Sequence, residues 1–301
     1  MNLRQLKYFV ATAETAQVSR AASALSISQS SVTTAIRDLE ASLGATLFLR
    51  TRHGMDLTDA GRELLASAYA ILSKIDEAQN LRHRDTDASG TIRIAASYTV
   101  IGYFLPYHLD RLRRLHPNLN VELHELNRDS IEEGLLSGRF DVAVLLTSNI
   151  TNPGLESETL LRSARRVWCA SGHHFAQRRN ITFDEIADED YILLTVDEAA
   201  NTAMKYWSAQ TREPRVRLRT MSIEAVRSMV ANGQGITILS DMVYRPWSLE
   251  GKRIATVMPA APVPTMDIGM AWRRGAVFTP QMELIHAYFR QAVNSPYVAS
   301  A

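Results

Sequence analysis

Apolar residues recur at helical spacing through the first 43 residues of the chain, interrupted by short polar segments. Residues 2–15 have the apolar side of an amphipathic helix, and Ala21, Ala22 and Leu25 begin another. After a polar turn at residues 26–28 comes a third apolar stripe, formed by Val32, Ile36, Leu39 and Leu43. The pattern predicts three helices, of which the second and third form a helix-turn-helix, with Gly44 placed to end the third.

The face of the third helix opposite its apolar stripe carries short hydrogen-bonding side chains. Small hydroxyl and amide groups can approach base edges closely, and a helix N-terminus favours phosphate, so this face suits a DNA major groove. An ordinary helical hairpin whose Ser and Thr side chains only face solvent is the alternative. The residues concerned are Gln29, Ser30, Ser31, Thr33, Thr34 and Arg37.

Two short strands are predicted at residues 46–50 and 53–57, after the third helix. Arg50, Arg52 and His53 lie on this hairpin. Three potential cations beside a groove-reading helix favour contact with phosphate or the minor groove, although solvated turn residues would look the same.

The segments SQSSVTTAIRDLEASLGATLFLR and LTDAGRELL resemble the winged helix-turn-helix signature of the LysR-type transcriptional regulators, in order and without gaps. The resemblance is strong over residues 1–65 and looser beyond. It implies that residues 1–58 bind double-stranded DNA. The candidate contacts are Ser19, Arg20, Ser28, Gln29, Ser30, Ser31, Thr33, Thr34, Arg37, Arg50, Arg52 and His53.

A long helix is predicted over residues 59–84, with Thr58 as its N-cap. Its apolar positions alternate spacings of four and three residues, as in a coiled coil, so a helix from a second copy is the expected cover. Packing against its own chain is the alternative. In the family that the chain resembles, this helix dimerises the protein. The predicted dimer contacts are Leu64, Ala68, Ile71, Ile75 and Ala78.

Strands alternate with helices from residue 91 onward, after a polar hinge at residues 85–90. Such βαβ order predicts an open, largely parallel sheet. Asp129 and Glu132 are placed as the capping box of a helix over residues 129–138. Strands are predicted at residues 91–97, 119–126, 140–146, 166–170, 191–195, 216–221, 235–239 and 268–273, and further helices at 102–116 and 279–293.

The resemblance implies that residues 91–301 form an effector-binding domain shaped like a periplasmic solute-binding protein. Residues 91–161 and 267–295 would build its first lobe, and residues 162–266 the second. The proline-rich run at 259–264 fits the return crossing. The predicted fold class is thus α/β: an N-terminal winged helix-turn-helix, a long linker helix and a two-lobed C-terminal domain.

Ligands of open α/β sheets bind beyond the carboxyl ends of the strands, where loops meet helix N-termini. Loops of this kind match ligand-contacting loops in the family, although each residue could equally serve as a cap or a surface group. Asp197 and Glu198 would repel an acidic effector there, so the charge of the ligand stays open. The candidates are Ser97, Tyr98, Thr99, Asn127, Arg128, Thr195, Asp197, Ser222 and Ile223.

Composition adds limits to these predictions. The chain of 301 residues has a net charge of only +1. Residues 4–53 carry six cations and three anions, a net charge of +3, so one copy makes few phosphate contacts and a dimer or larger assembly is expected. We find no segment that would span a membrane and no leader peptide, which predicts a cytoplasmic protein. The single cysteine, Cys169, rules out an intramolecular disulfide.

Motifs of catalysis are missing from the sequence. The glycines at residues 233 and 235 follow a predicted helix rather than a strand, and there is no Gly-x-Ser-x-Gly elbow. His173 and His174 are adjacent, but in a strand they would point apart, in a turn they would be solvated, and no third ligand follows at a metal-site spacing. We therefore expect no enzyme, no metal site and no cofactor.

The sequence is best explained as a ligand-responsive transcriptional regulator that binds promoter DNA as a homo-oligomer. Its partners would be double-stranded DNA, further copies of itself and a small metabolite in the interlobe cleft. The resemblance suggests a tetramer and makes RNA polymerase a candidate partner. A solute-binding sensor without sequence-specific DNA binding is the main alternative, and an architectural DNA binder that ignores metabolites is the third.

Overall fold

The structure is a computed structural model that describes residues 1–25, 27–51, 54–79 and 89–293. Contacts divide the chain into two compact units, residues 1–87 with 292–301, and residues 88–291. Each unit has its own buried core. Within the described ranges, every helix is too short or too polar to cross a lipid bilayer.

Three helices build the core of the first unit, where Phe9, Val32 and Leu39 are fully buried. Asn2 begins the first helix, since its side chain accepts a hydrogen bond from the backbone amide of Gln5 at 2.9 Å. The predicted helix-turn-helix is confirmed. The helices are α1 (Leu3–Thr15), α2 (Val18–Ala24) and α3 (Gln29–Leu43).

The apolar stripe of α3 ends one turn earlier than the sequence suggested. Val32, Ile36 and Leu39 are buried, but Leu43 is 41% exposed. Gly44 follows at once in the left-handed conformation, with a φ of 64°, and ends the helix as predicted.

A two-stranded antiparallel wing follows, made of β1 (Phe48–Thr51) and β2 (Gly54–Leu57). Glu40 of α3 holds its base, because one carboxylate oxygen accepts hydrogen bonds from the amides of Leu47 and Phe48 at 2.7 and 3.2 Å. The wing is therefore tied to the helix that precedes it.

The linker helix α4 spans Asp59–Gln79, where the described residues stop. Thr58 caps it as predicted, since its hydroxyl accepts a hydrogen bond from the amide of Gly61 at 2.9 Å. The predicted end near residue 84 and the hinge at 85–88 lie outside the described residues.

The first half of the predicted dimerisation stripe packs on its own unit. Ala68 is fully buried beside α1, and Leu64 and Ile71 are partly buried against the same core. Ala68 has no exposed surface in this unit, and the dimer contacts as a set stay a prediction. Ile75 is only partly buried, and the side chain of Ala78 lies outside those described.

The second unit contains a five-stranded sheet in the order β4-β3-β5-β13-β6. Here β3 pairs in parallel with β4 and β5, whereas β13 is antiparallel to both β5 and β6. We call this sheet and its helices lobe one. Its elements are β3 (Gly90–Ala96), α5 (Tyr98–Tyr103), α6 (Leu105–Leu115), β4 (Leu119–Glu125), α7 (Arg128–Leu136), β5 (Val142–Leu146), β6 (Leu155–Ser163), β13 (Met266–Arg273) and α11 (Pro280–Val293).

The segment between β6 and β13 folds around a separate core, which we call lobe two. Its strands run in the order β11-β7-β12-β8, and β9 pairs in parallel with β10. A parallel bridge from Tyr191 to Ile236 links β9 to the segment before β11. The elements are β7 (Arg165–Ala170), β8 (Asn180–Ile181), α8 (Phe183–Ala187), β9 (Asp190–Leu194), α9 (Ala199–Trp207), β10 (Arg215–Thr220), α10 (Ile223–Ala231), β11 (Thr237–Ser240) and β12 (Ile254–Pro259).

The chain passes between the lobes at Ala164 and again between Pro259 and Met266. The proline-rich run at residues 259–264 forms most of the return. The lobe boundaries given in the sequence section remain predictions.

Both sheets differ from the largely parallel arrangement expected from strand order. β6 and β12 were not predicted, and each brings antiparallel pairing: β6 with β13, and β12 with β7. β6 lies at a sheet edge with only one neighbour, so its sequence LESETLLRS needs little apolar alternation.

Two local predictions were also wrong. Asn127 caps α7 by accepting a hydrogen bond from the amide of Ser130 at 2.9 Å, so Asp129 lies inside the helix and forms no capping box with Glu132. The helix expected at residues 102–116 is two helices, because Pro106 at the start of α6 separates it from α5.

Candidate DNA-binding surface and effector cleft

The polar face of α3 is exposed along its length. Gln29, Ser30, Thr34 and Arg37 are exposed, and Thr33 is partly buried. Ser30, Thr34 and Arg37 follow at spacings of four and three residues and form one row along the helix. The buried residues Val32, Ile36 and Leu39 lie on the other side, so the row is presented to solvent by the packing of the core.

Serine hydroxyls cluster at the start of α3. The Ser28 hydroxyl accepts a hydrogen bond from the amide of Ser31 at 3.2 Å and lies 2.8 Å from the Ser31 hydroxyl and 2.9 Å from that of Ser30. Ser28 and Ser31 thus stabilise the helix N-terminus. Because its first turn carries short side chains, α3 can bring this turn close to a phosphate group.

Arg37 is the single cation of α3, and its side chain is 76% exposed. Its ion pair with the neighbouring Asp38, at 3.7 Å, is between two exposed groups and contributes little. Ser19 on α2 and Arg50 on β1 are also exposed, and Arg20 is partly buried. Arg52 and His53 lie outside the described residues.

In the second unit, a chain of contacts joins the two lobes at the mouth of the predicted cleft. The backbone amide of Thr99 in lobe one donates a hydrogen bond to Oδ2 of Asp197 in lobe two at 2.6 Å. Asn149 donates to the carbonyl of Asp197 at 3.3 Å and to Oε2 of Glu198 at 3.1 Å. Arg128 adds an ion pair to Glu198 at 3.4 Å. We call these contacts of Thr99, Arg128 and Asn149 with Asp197 and Glu198 the clasp.

Asp197 and Glu198 adopt left-handed backbone conformations, with φ values of 48° and 56°. Side chains rarely take this conformation, because it brings Cβ close to the carbonyl group. The bonds that both carboxylates make to lobe one help to offset this cost. The charge of Glu198 is compensated by Arg128, whereas the carboxylate of Asp197 is held by a neutral amide.

Several other predicted effector residues have structural partners. Ser222 caps α10, accepting a hydrogen bond from the amide of Ala225 at 3.1 Å, and Ile223 is buried. The amide of Thr195 donates to the carbonyl of Thr220 at 2.9 Å. Asn127 is exposed and caps α7. The roles of these four residues are accounted for by helix capping, core packing and strand pairing.

Ser97 and Tyr98 lie at the start of α5. Ser97 is buried, and its hydroxyl has no hydrogen-bond partner among the described residues. Tyr98 is 42% exposed. Of the predicted set, Thr99 and Asp197 line the cavity between the lobes.

The interlobe cavity has a volume of about 40 Å³ and is bounded by both lobes. Thr99, Asn149 and Met266 line it from lobe one, and Tyr191, Tyr206 and Arg165 are among its lobe-two residues. The two tyrosine hydroxyls lie 3.3 Å apart, and burial raises the pKa of Tyr206 well above its ordinary value. The phenol of Tyr206 is therefore neutral and can donate a hydrogen bond.

Arg165 is the notable charge of this cavity. Its guanidinium donates to the carbonyl of Thr265 at 2.8 Å, and no carboxylate of the described residues forms an ion pair with it. Burial lowers its pKa below the ordinary value of an arginine, an effect that Tyr206, Tyr191 and Asp267 oppose only in part. Its guanidinium is therefore a desolvated cation beside an open space.

Sequence reasoning missed Arg165 and Asn149. Asn149 follows the carboxyl end of β5, where ligands bind in such sheets, whereas Arg165 begins β7 directly after the interlobe crossing. The strand order could therefore have indicated Asn149 but not Arg165, because ligands are not expected at the amino end of a strand.

Two family models cover nearly the whole chain. The model described as "Bacterial regulatory helix-turn-helix protein, lysR family" matches residues 3–62, and "LysR substrate binding domain" matches residues 85–294. The chain belongs to the LysR family. It is accordingly a ligand-responsive DNA-binding transcription regulator.

Relatives span almost the full length of the chain. The DNA-binding transcriptional dual regulator OxyR of Escherichia coli K12 is 28% identical over 301 residues, covering 99% of this chain and 97% of that protein. A hydrogen peroxide-inducible genes activator of Pectobacterium carotovorum is 28% identical over 293 residues, covering 97% and 96%. The crystal structure of HinK, a LysR family regulator from Pseudomonas aeruginosa, matches this chain with a TM-score of 0.64 and 30% sequence identity. The match covers 97% of this chain and 98% of HinK.

Proposed function

We propose that this LysR-family regulator binds promoter DNA as a homo-oligomer, with α3 in the major groove, and responds to a small carboxylate held between the lobes. The exposed row Ser30, Thr34 and Arg37 carries the DNA part of the proposal. It lies opposite the buried face of α3, so the groove-reading side chains are fixed by the core.

Oligomerisation is supported by charge and by the linker helix. A net charge of +3 over residues 4–53 permits few phosphate contacts per copy, so two or more copies are needed for tight binding. Leu64, Ile71 and Ile75 remain only partly buried on α4 and could meet a second α4. We propose a dimer through α4, a tetramer by resemblance to the family, action in the cytoplasm, RNA polymerase as a candidate partner, and no catalytic activity of its own.

The DNA contact is tested by Arg37→Ala. We expect weaker retardation of duplex DNA carrying the promoter of its own gene, and a flatter salt dependence, by roughly one unit of the log–log slope for each lost phosphate contact. Arg179→Ala removes an equally exposed arginine from lobe two and serves as the matched control. Equal affinity and equal salt slope in the two variants would sink this assignment of α3.

The effector proposal depends on Arg165. Arg165 is a partly buried cation without an ion pair among the described residues, and a carboxylate of a ligand would compensate its charge. The carboxylate of Glu198 is already paired with Arg128, and that of Asp197 accepts the amide of Thr99 and forms no ion pair with Arg165. The hydroxyls of Tyr191 and Tyr206 add hydrogen bonds nearby.

A cavity of about 40 Å³ holds only a few water molecules, so the observed arrangement is closed. A metabolite would have to move the lobes apart or be very small. The clasp joins the two lobes, so a bound metabolite that moves the lobes apart would favour an arrangement in which the clasp is altered. The metabolite would then bind the two arrangements with different affinity, as a ligand response requires.

Thermal-shift measurements with a panel of aliphatic and aromatic carboxylates test the effector site. We expect concentration-dependent stabilisation of the wild type by some members, abolished in Arg165→Gln. Arg166→Gln is the control, because Arg166 is the next residue but pairs with Asp241 at 2.8 Å. Stabilisation that survives Arg165→Gln would overturn the role of Arg165 while leaving the DNA assignment intact.

Peroxide sensing through a thiol is not proposed here, although relatives are named for hydrogen peroxide. Cys169 is the single cysteine, is fully buried in β7, and its pKa is raised to about 12 by burial. A thiol in this environment is a poor nucleophile and has no partner in the chain for a disulfide.

A further inference from the structure

Three potential metal ligands converge at one end of lobe two. His173 and His174 lie in the turn after β7, and Glu189 directly precedes β9. Nε2 of His173 is 3.5 Å from Oε2 of Glu189, and Nε2 of His174 is 3.5 Å from Oε1. The three ligand atoms all lie within 4.8 Å of one another. Folding thus provides the third ligand that sequence spacing did not reveal.

The two imidazole rings are held side by side rather than pointing apart. They stack with centroids 4.4 Å apart and an interplanar angle of 25°, so both direct Nε2 to the same carboxylate. Phe175 packs edge-on against both rings, at 4.7 and 4.4 Å, and is itself buried in the core. The turn is therefore anchored, and little conformational entropy remains to be lost on binding.

The charge state of His173 favours metal coordination, whereas the position of the proton on its ring opposes it. Burial lowers its pKa below 6.5, so the ring is neutral near pH 7, the form that binds metals. Its Nδ1 accepts a hydrogen bond from the amide of Phe175 at 3.2 Å, so the proton of the neutral ring is on Nε2. Coordination through Nε2 moves that proton to Nδ1 and breaks this bond, which is a small loss beside coordination bonds.

We propose that His173, His174 and Glu189 form a binding site for a divalent transition-metal ion, with Zn²⁺ the best match. Two imidazoles and a carboxylate are a known zinc ligand set, with water in the remaining positions. Ligands about 2.1 Å from a tetrahedral zinc ion are about 3.4 Å apart, close to the two histidine–carboxylate distances. These two distances end on different oxygens of Glu189, and the three ligand atoms, which lie within 4.8 Å of one another, would have to close by up to about 1.4 Å.

Cys169 is the nearest soft ligand in the sequence, but it does not belong to this site. Its thiol is fully buried in the core, and its pKa of about 12 keeps it protonated. The site is consequently a nitrogen and oxygen site, which suits Zn²⁺, Ni²⁺ or Cu²⁺ better than a thiolate-bound metal.

The pair His286–Glu158 in lobe one is a natural control. Nε2 of His286 is 2.6 Å from Oε2 of Glu158, but the same carboxylate also pairs with Arg290 at 3.1 Å. The Arg290 guanidinium already pairs with Oε1 of Glu158. Among the described residues, His286 is the one imidazole that contacts this carboxylate. We expect this pair to bind no metal.

The test is a Zn²⁺ titration of tag-free, chelator-stripped, full-length protein by calorimetry or by competition with a chromophoric chelator. We expect one ion per chain, and at least tenfold weaker binding in His174→Ala and in Glu189→Gln. His174 has a side chain 64% exposed, so its removal should leave the fold intact, which circular dichroism checks. His286→Ala should bind Zn²⁺ as the wild type does.

Co²⁺ provides a second readout, since its visible spectrum reports the ligand set. We expect a d–d band in the wild type and in His286→Ala that is lost in Glu189→Gln. His173→Asn retains an acceptor for the amide of Phe175 and should also lose the band. Failure of the folded wild type to bind stoichiometric Zn²⁺, or equal affinity in all variants, would overturn the proposal.

Discussion

The backbone amide of Thr99 donates a hydrogen bond of 2.6 Å to Oδ2 of Asp197, a residue 98 positions further along the chain. This single bond joins the first helix of lobe one to the 3₁₀ turn that follows β9 in lobe two. Asp197 also has a φ of 48°, so its backbone depends on the contacts of its side chain. Beside the contacts of Glu198 with Asn149 and Arg128, this carboxylate therefore helps to hold the lobes together.

Substitution of Asp197 by Asn should loosen this clasp. Asn tolerates the left-handed conformation and retains an acceptor, so the loss is that of the charge, about 1 kcal/mol for a partly exposed group. Hydrogen exchange of the peptide containing Thr99 should become roughly fivefold faster. Asp197→Ala, which also loses backbone compatibility, should have a larger effect.

The control for this experiment is Asp188→Asn. Asp188 forms an exposed ion pair with Arg212 at 2.6 Å within lobe two. Exchange near Thr99 should be the same as in wild type. If Asp197→Asn also left that exchange unchanged, the bond would have no part in holding the lobes.

Local pattern was enough to predict the first unit. Val32, Ile36 and Leu39 are buried because an i, i+4, i+7 spacing places them on one side of a helix, and Gly44 and Thr58 act within a few residues of themselves. No tertiary knowledge was needed for these. The polar row on α3 could then be predicted as the side of the helix that does not face the core.

The cleft could be predicted only as a location. Thr99 and Asp197 were among the candidates, but their bond joins distant segments, and whether a side chain caps a helix or contacts the other lobe depends on packing. Asn127 shows the same limit at short range. Asn127 and Asp129 are both residue types that cap helices, and the point where β4 ends decides which of them caps α7. Arg165 and Glu189 acquire their roles entirely from topology.

Gly61 is predicted to be intolerant of any side chain. A Cβ at this position would lie 2.3 Å from the carbonyl oxygen of Leu47 and 2.9 Å from Leu57, where α4 begins against the base of the wing. Because the first clash is with backbone, Gly61→Ala should destabilise the first unit by about 1–3 kcal/mol. The measurement is the midpoint of its unfolding transition together with DNA affinity.

Gly102 provides the comparison for this glycine. A Cβ there meets nothing within 4 Å, and the residue is helical, so Gly102→Ala should be neutral or slightly stabilising. A Gly61→Ala protein as stable as wild type would show that the wing can move away from α4.

His108 should make the second unit sensitive to acid. Its ring is 1% exposed in α6, lies 3.1 Å from the Tyr288 hydroxyl, and has its pKa lowered to about 3 by burial and by the charge of Arg111. The unfolded chain binds a proton near pH 6.5 and the folded one does not. Stability is therefore full above pH 6.5 and falls toward pH 3, by up to about 1.4 kcal/mol per pH unit.

Replacement of His108 by Phe removes this titration within a surrounding cluster of aromatic rings. The variant should lose some stability at pH 7, because the Tyr288 hydroxyl loses a partner, but its unfolding free energy should depend less on pH between 6.5 and 5. Denaturant titrations at several pH values decide this. Parallel pH profiles for the two proteins would assign the acid sensitivity to other groups.

Cys169 should be silent toward oxidants despite the names of the relatives. With a pKa raised to about 12, roughly one thiol in a hundred thousand is a thiolate at pH 7, and the side chain is fully buried between the neighbouring strands β11 and β12. The native protein should react with a disulfide reagent only as fast as it unfolds. Hydrogen peroxide should leave DNA affinity unchanged in wild type and in Cys169→Ala alike. A peroxide-dependent shift lost in Cys169→Ala would mean that this strand opens in the native protein and exposes its thiol.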